Sequence, residues 1–294
     1  MQTSDLLSHA LDAAIGGRCE TLHALLSRGS HLPGTRMNDA LADAFAALCR
    51  SHRGRADAVA LGLARLSADE APGGTGREFL PVCGILALGA RAAADEHVRP
   101  RFLMELHAHA DDLRFRVRDA VVDAISRIGA EAGDALVLAV ASWMDGYFHA
   151  AAVVRALSSD AWLGAVRDAS EVVSRLEEAF VLARDAPRAA ARWPGHKALV
   201  TALGTGPGLV AASLGVPIFD MLERWSETSD PVLREAIRRA VDTRKVAARF
   251  SSEVDRVGKA LDASRPAPRN PDHDVGSTRD RSHSRRRRLG AKRS

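Results

Sequence analysis

An all-α fold is predicted for this chain, a right-handed solenoid of about six helical hairpins over residues 1–263 followed by a disordered basic tail over 264–294. Three observations predict it. Aromatic residues make up only 4% of the sequence, and Val, Ile and Thr never gather into alternating runs bounded by hairpin turns, so a sheet has little to be built from. Apolar residues recur instead on a 3.6-residue period. The strongest such pattern also occurs twice, once from Asp112 to Gly129 and again from Asp230, each time after a shorter apolar helix and a tight turn.

The first of these stretches is the clearest element in the sequence. Leu113, Val117, Ala120, Val121, Ala124, Ile125 and Ile128 form one stripe, with Phe115 and Val122 off it. Asp112 is placed to cap the first turn, and Gly129 to close the helix in a left-handed conformation. In the second stretch Leu233, Ala236, Ile237, Ala240 and Val241 repeat the spacing, and Arg234 falls where Arg118 does.

Taken in order, 5–15 and 20–26 read as a short helical pair split by Gly16-Gly17, and turn formers from Arg28 to Gly34 end it. Helix resumes at Asn38 and runs to Cys49, with 56–66 as its partner. After a glycine-rich loop around 73–76, the apolar stretch 79–94 reads as a helix buried on more than one side, with Pro81 tolerated in its first turn. The pairs 99–110 with 112–129 and 132–144 with 148–157 follow. Residues 162–184 read as one long helix, 187–208 as the least regular part, and 217–225 and 231–250 as the last regular helices. That makes twelve to fourteen helices, about six pairs at ~40 residues each.

Composition narrows the class further. No apolar run approaches the ~18 residues of a membrane span, and the amino terminus lacks a basic start followed by an apolar block, so a cytoplasmic protein is expected. Cys19, Cys49 and Cys83 stand far apart in apolar helical contexts and read as buried free thiols. The formal charge of +4 has to be divided along the chain. Ten basic and three acidic residues from Ser264 onward give that segment +7, which leaves the body at −3. With almost no large apolar side chain, the segment cannot offset the entropy of ordering itself.

The spacing D-x-x-x-x-V-R-x-A-V-x-x-A-I-x-x-I-G from Asp112 resembles the second helix of a HEAT repeat, and Asp230-Pro231-x-x-Arg234 resembles the same signature. Leu32-Pro33-Gly34-x-Arg36-x-Asn38 and Glu78-Phe79-Leu80-Pro81-x-Cys83-Gly84 are similar to stretches in a group of bacterial HEAT-repeat proteins of unassigned role. The resemblance implies a curved surface for partners and supplies no activity. It also implies a structural ladder in which Arg118 and Arg234 reach aspartates in neighbouring turns, with Asp112 and Asp230 as the acidic members.

Other chemistry is thinner. Arg114 and Arg118, one turn apart, could present two guanidinium groups to a nucleic-acid backbone. One group of HEAT-like proteins excises alkylated bases with tryptophans and a carboxylate on a basic face; Trp143 and Asp145, with Arg114 and Arg118, are the nearest analogue. A body of net −3 argues against such a lining, and Trp143 reads as core. His107 and His109 point apart on one helix, and His107 with Asp111 lacks a third ligand, so no metal or other cofactor is expected. The glycine clusters at 73–76 and 204–208 do not follow strands or end in Gly-Lys-Ser/Thr, and read as connectors. Arg285, Arg286, Arg287, Arg288, Lys292 and Arg293 form a dense cluster that attracts polyanions without regard to sequence. The expected function is therefore a non-enzymatic scaffold that binds a protein partner through its curved face, with electrostatic help from the tail. A DNA-binding protein or alkylated-base glycosylase is the alternative.

Overall fold

The computed structural model describes residues 3–264, and every regular element within them is helical. In chain order these are α1 (Thr3–Ile15), α2 (Glu20–Gly29), α3 (Asp39–His52), α4 (Gly54–Ala64), α5 (Phe79–Ala94), α6 (Arg99–Ala108), α7 (Phe115–Ala132), α8 (Asp134–Ala139), α9 (Tyr147–Leu157), α10 (Asp160–Ala165), α11 (Ala169–Arg184), α12 (Pro194–Leu203), α13 (Gly206–Leu214), α14 (Val216–Trp225), α15 (Pro231–Val241), α16 (Arg244–Arg249) and α17 (Ser251–Ala263). Short 3-10 turns occupy Gly76–Glu78, Ala141–Asp145 and Arg188–Arg192. The expected tail, with Arg285, Arg286, Arg287, Arg288, Lys292 and Arg293, lies outside the described residues.

Helices pack on near neighbours along the chain. One row runs α3, α5, α7, α9, α12, α15, and beside it α8, α11, α14 and α17 make a second. No substantial packing joins α1–α4 to the helices from α8 onward. A single apolar core threads these layers from Leu7 to Leu261.

Local chemistry sets the element ends. Asn38 accepts a hydrogen bond from the Leu41 N–H at 3.1 Å and donates its amide to the Gly29 carbonyl at 2.8 Å, so one side chain starts α3 and ties it to the end of α2. Asn38→Ala is expected to cost about 1–2 kcal/mol, read as a lowered urea midpoint.

Several expected boundaries move. Helix α7 starts at Phe115 and continues to Ala132, three residues beyond Gly129. Its closing glycine is Gly133, at φ +54°. Gly129 is instead a packing position, because a Cβ there would lie 2.2 Å from the Trp162 ring of α10. Asp112 does not cap the helix by its side chain; it accepts the Arg114 N–H at 2.7 Å in the preceding turn. Leu113 therefore falls outside the helix and is 89% exposed, while Val122 is buried because α7 packs on more than one side.

The stretch expected as one helix over 162–184 breaks at Val166-Arg167-Asp168, where Asp168 caps α11 through the Ser170 N–H at 2.9 Å. Likewise 231–250 breaks at Asp242-Thr243, and 132–144 gives way to a 3-10 turn after Ala139. The cluster at 204–208 is only partly a connector, since Gly206 and Gly208 belong to the first turn of α13. Among the described residues no clear transmembrane segment is present; one apolar stretch, Pro194–Leu214, reaches the length and composition of a membrane span, but only weakly. It divides at Gly204-Thr205 into α12 and α13, and more than half of it is buried against neighbouring helices.

Two kinds of contact hold neighbouring layers in register. The first is close backbone approach at glycines: a Cβ on Gly84 of α5 would lie 2.3 Å from the Ala64 nitrogen of α4. The second is buried arginine. Arg114 donates to Asp112 Oδ1 and Oδ2 at 2.9 and 2.6 Å, and to the carbonyls of Leu66, Ser67 and Ala71 at 3.0–3.2 Å. Arg91 of α5, also buried, pairs with Asp57 of α4 at 2.8 Å. Cys49 and Cys83 are buried and free, while Cys19 is only half-buried. Burial pushes the Cys49 thiol up to about 12 and raises that of Cys83 as well.

Candidate functional site

Polar and aromatic side chains converge around the turn between α8 and α9. The 3-10 turn Ala141–Asp145 brings Trp143 inward and leaves Asp145 at its outer end. Gly146 then continues in an extended conformation (φ −152°, ψ 151°), and its carbonyl accepts the Ala150 N–H at 2.9 Å to begin α9. The imidazole of His149 folds back over this glycine. A Cβ on Gly146 would stand 2.4 Å from His149 Nδ1, so the ring could not lie there beside any other residue type. His107, in the last turn of α6, meets it from the preceding layer.

The two imidazoles stack with centroids 4.1 Å apart and planes 18° from parallel. Trp143, 2% exposed, stands edge-on to both, 5.1 Å from His107 and 6.4 Å from His149. His107 Nε2 lies 3.0 and 3.2 Å from the two Asp145 oxygens. His149 Nε2 is 3.1 Å from the His107 carbonyl, which can only accept, so Nε2 carries the proton and donates it. The lone pair of neutral His149 is thereby left on Nδ1, which is buried, has no hydrogen-bond partner, and sits 3.6 Å from Asp145 Oδ1. Burial, and after it the His107 imidazole, hold His149 below the usual histidine value against the pull of Asp145. Among the described residues this is the one group of three potential ligands whose donor atoms all lie within 4.8 Å of one another. A cleft of about 490 Å³ opens beside it, lined among others by Glu96, Arg99, Met104, Ser142 and Trp143.

On the far side of the same turn lies a groove of about 680 Å³ between Met144, Tyr147 and the outward face of α11. Val181 and Leu182 give it an apolar floor; Glu177, Glu178 and Asp185 form the rim. These carboxylates are already paired, with Arg224 at 2.6 Å, Arg175 at 2.8 Å and Arg184 at 2.7 Å. Trp193, 46% exposed, stands 6.1 Å from the Tyr147 ring.

The residues singled out from sequence are placed differently from expectation. Arg118 meets no aspartate; it donates to the Asp112 carbonyl of its own preceding turn and lies 4.5 Å over the Phe148 ring of α9. Arg234 behaves alike, donating to the Thr228 carbonyl six residues back, to the Ser226 carbonyl, and forward to the Leu261 carbonyl of α17 and the hydroxyl of Ser264 just after it. Both arginines thus join elements through carbonyls and, for Arg118, an aromatic ring. Asp230 caps α15 through the Val232 N–H at 2.8 Å, while Arg–Asp pairs between helices are made by Arg91 with Asp57, Arg155 with Asp119 and Arg256 with Asp220.

The four candidates for a DNA site do not assemble one. Trp143 is only 2% exposed, which leaves its ring no open face for a base to stack on, and Arg114 directs its guanidinium into a cage of carbonyls. Asp145 is engaged by His107, and Arg118 covers Phe148. Asp111, the partner considered for His107, is exposed and belongs to no close triad, whereas Asp145 and His149 take that place. Their i, i+4 spacing was the only signal in the sequence, and it says nothing of His107, which arrives from another helix. No protein-family model, curated protein or solved structure matches the chain.

Proposed function

We propose that the chain is a cytoplasmic, HEAT-type solenoid scaffold that binds a protein partner, with the groove between Tyr147 and α11 as the docking site. The row-on-row packing of near neighbours and the recurrent roles of Arg118 and Arg234 support the solenoid reading. The observation that carries the docking site is the exposed Trp193 beside half-buried Tyr147 at an apolar floor, rimmed by carboxylates held in ion pairs with arginines. Tryptophan, tyrosine and arginine are the side chains that dominate binding hot spots, because they offer large rigid area with a polar edge. Such a surface suits a peptide segment that inserts an aliphatic side chain between Tyr147 and Val181. The basic cluster of the C-terminal segment adds a salt-dependent attraction for polyanions.

The full chain and three variants test this reading. A partner captured by the wild type and identified by mass spectrometry is expected to lose at least ~10-fold in affinity with Trp193→Ala, an interface hot-spot loss. Val181→Asp is expected to abolish capture. Val232→Asp, a like change at another exposed apolar position, leaves binding intact. Equal retention of every captured protein by all three variants would remove the groove from consideration.

A further inference from the structure

We propose that His107, Asp145 and His149 form a binding site for a first-row divalent metal ion of the zinc class, open on one side to the neighbouring cleft. The donor set is two imidazole nitrogens and one carboxylate, a combination that suits zinc, cobalt, nickel or iron(II) and disfavours magnesium and calcium, which take oxygen ligands. The separations fit as well. Bonds of about 2.0–2.1 Å place neighbouring ligands about 3.3 Å apart at tetrahedral angles. The contacts from Asp145 to His107 Nε2, 3.0 and 3.2 Å, and to His149 Nδ1, 3.6 Å, bracket that value.

The lone pair of His149 is the most telling feature. Its Nε2–H is fixed on the His107 carbonyl, the backbone arrangement that commonly orients a ligating histidine and sets its tautomer. The opposite nitrogen, Nδ1, is left buried without a hydrogen-bond partner, an unfavourable state unless something accepts the lone pair. A metal ion does so. Asp145 supplies the negative charge that offsets the ion, and Gly146 leaves the space in which the His149 ring lies. Trp143 forms a dry wall behind the rings, so that one or two coordination positions face the cleft beside Ser142.

The stacked rings cannot both point at one ion without movement. His107, the more exposed of the two, turns about its Cβ–Cγ bond, a torsion with a broad and shallow preference. His149 stays held by the carbonyl. Binding therefore breaks the parallel stack, and the ring signals of His107 and His149 shift together in an NMR titration.

The experiment uses the full chain, stripped with a chelator and dialysed, titrated with zinc sulfate in a calorimeter. One equivalent is expected to bind at about 1 µM or tighter, with a rise in melting temperature. Asp145→Ala removes a half-exposed side chain and leaves the core intact; with His149→Ala it is expected to weaken binding at least ~100-fold. His9→Ala, and a double change of His273 and His283 to Ala, keep the tight equivalent. Cobalt(II) in place of zinc gives the visible absorption of a tetrahedral or five-coordinate imidazole site in the wild type, and loses it in Asp145→Ala. Zinc affinity unchanged in Asp145→Ala, or no binding by the wild type up to millimolar zinc, overturns the assignment. Should His149→Ala fail to fold, the Asp145 variant and the cobalt spectrum decide alone.

Discussion

Arg114→Met is expected to lower the unfolding free energy by about 3–5 kcal/mol, the range found when one partner of a buried ion pair is removed. The loss is large because the guanidinium serves two layers at once. It neutralises Asp112, and its side chain, only 4% exposed, satisfies three carbonyls of the loop that follows α4, that of Ala71 fully buried. Arg118→Ala, by contrast, frees one carbonyl and uncovers one ring, for about 1 kcal/mol. Urea denaturation of the two variants separates the roles, and equal losses would show that the clamp has been assigned to the wrong arginine.

The pH dependence follows from the same pair. Burial works against the charge on Asp112, but the Arg114 guanidinium and backbone N–H outweigh it and hold the carboxyl below its ordinary value. A depressed folded value gives stability that is present above the unfolded value of about 4 and is lost as the pH falls through the lower folded one. The gap between wild type and Arg114→Met is therefore expected to narrow below about pH 4. A constant gap would mean that Asp112 takes no part.

The second large effect belongs to Gly84. A side chain there meets backbone rather than a flexible tip, 2.3 Å from the Ala64 nitrogen and 2.7 Å from the Ala60 carbonyl, so α4 and α5 must move apart. Gly84→Val is expected to destabilise by about 3 kcal/mol or more, the upper range for overpacking. Gly62 provides the matched control. It lies exposed in α4 with nothing near its absent Cβ, and Gly62→Ala should stabilise by about 1 kcal/mol through helix propensity alone. Opposite signs for two glycines so close in space distinguish packing from propensity; a shared sign would contradict it.

The apolar stripe of α7 could be read from sequence because one face of a helix repeats regularly, and Val117, Ala120, Val121, Ala124, Ile125 and Ile128 are all buried. The same rule carried α5 to its observed ends, Phe79 and Ala94. It misled at Leu113 and Gly129, since a stripe does not record where backbone angles leave the helix. It also ran through 166–168, where apolar residues on both sides preserve the period while the chain turns. The histidine site was legible only in part. Asp145 and His149 lie four residues apart, but His107 joins them through the packing of α6 against the 3-10 turn, a tertiary event with no imprint on spacing. Likewise nothing in a pattern of charges distinguishes Arg114, whose guanidinium is enclosed, from Arg116 or Arg118.

On the solenoid reading proposed above, in which helices lean on near neighbours along the chain, cooperativity is expected to be local. Peeling away α1 and α2, or α16 and α17, uncovers one new face and leaves the remaining layers assembled. The α5 and α7 pair, flanked on both sides, opens last. Heating is then expected to erode the molecule from its ends inward, with the turn that carries His107, Asp145 and His149 in the half that persists longest.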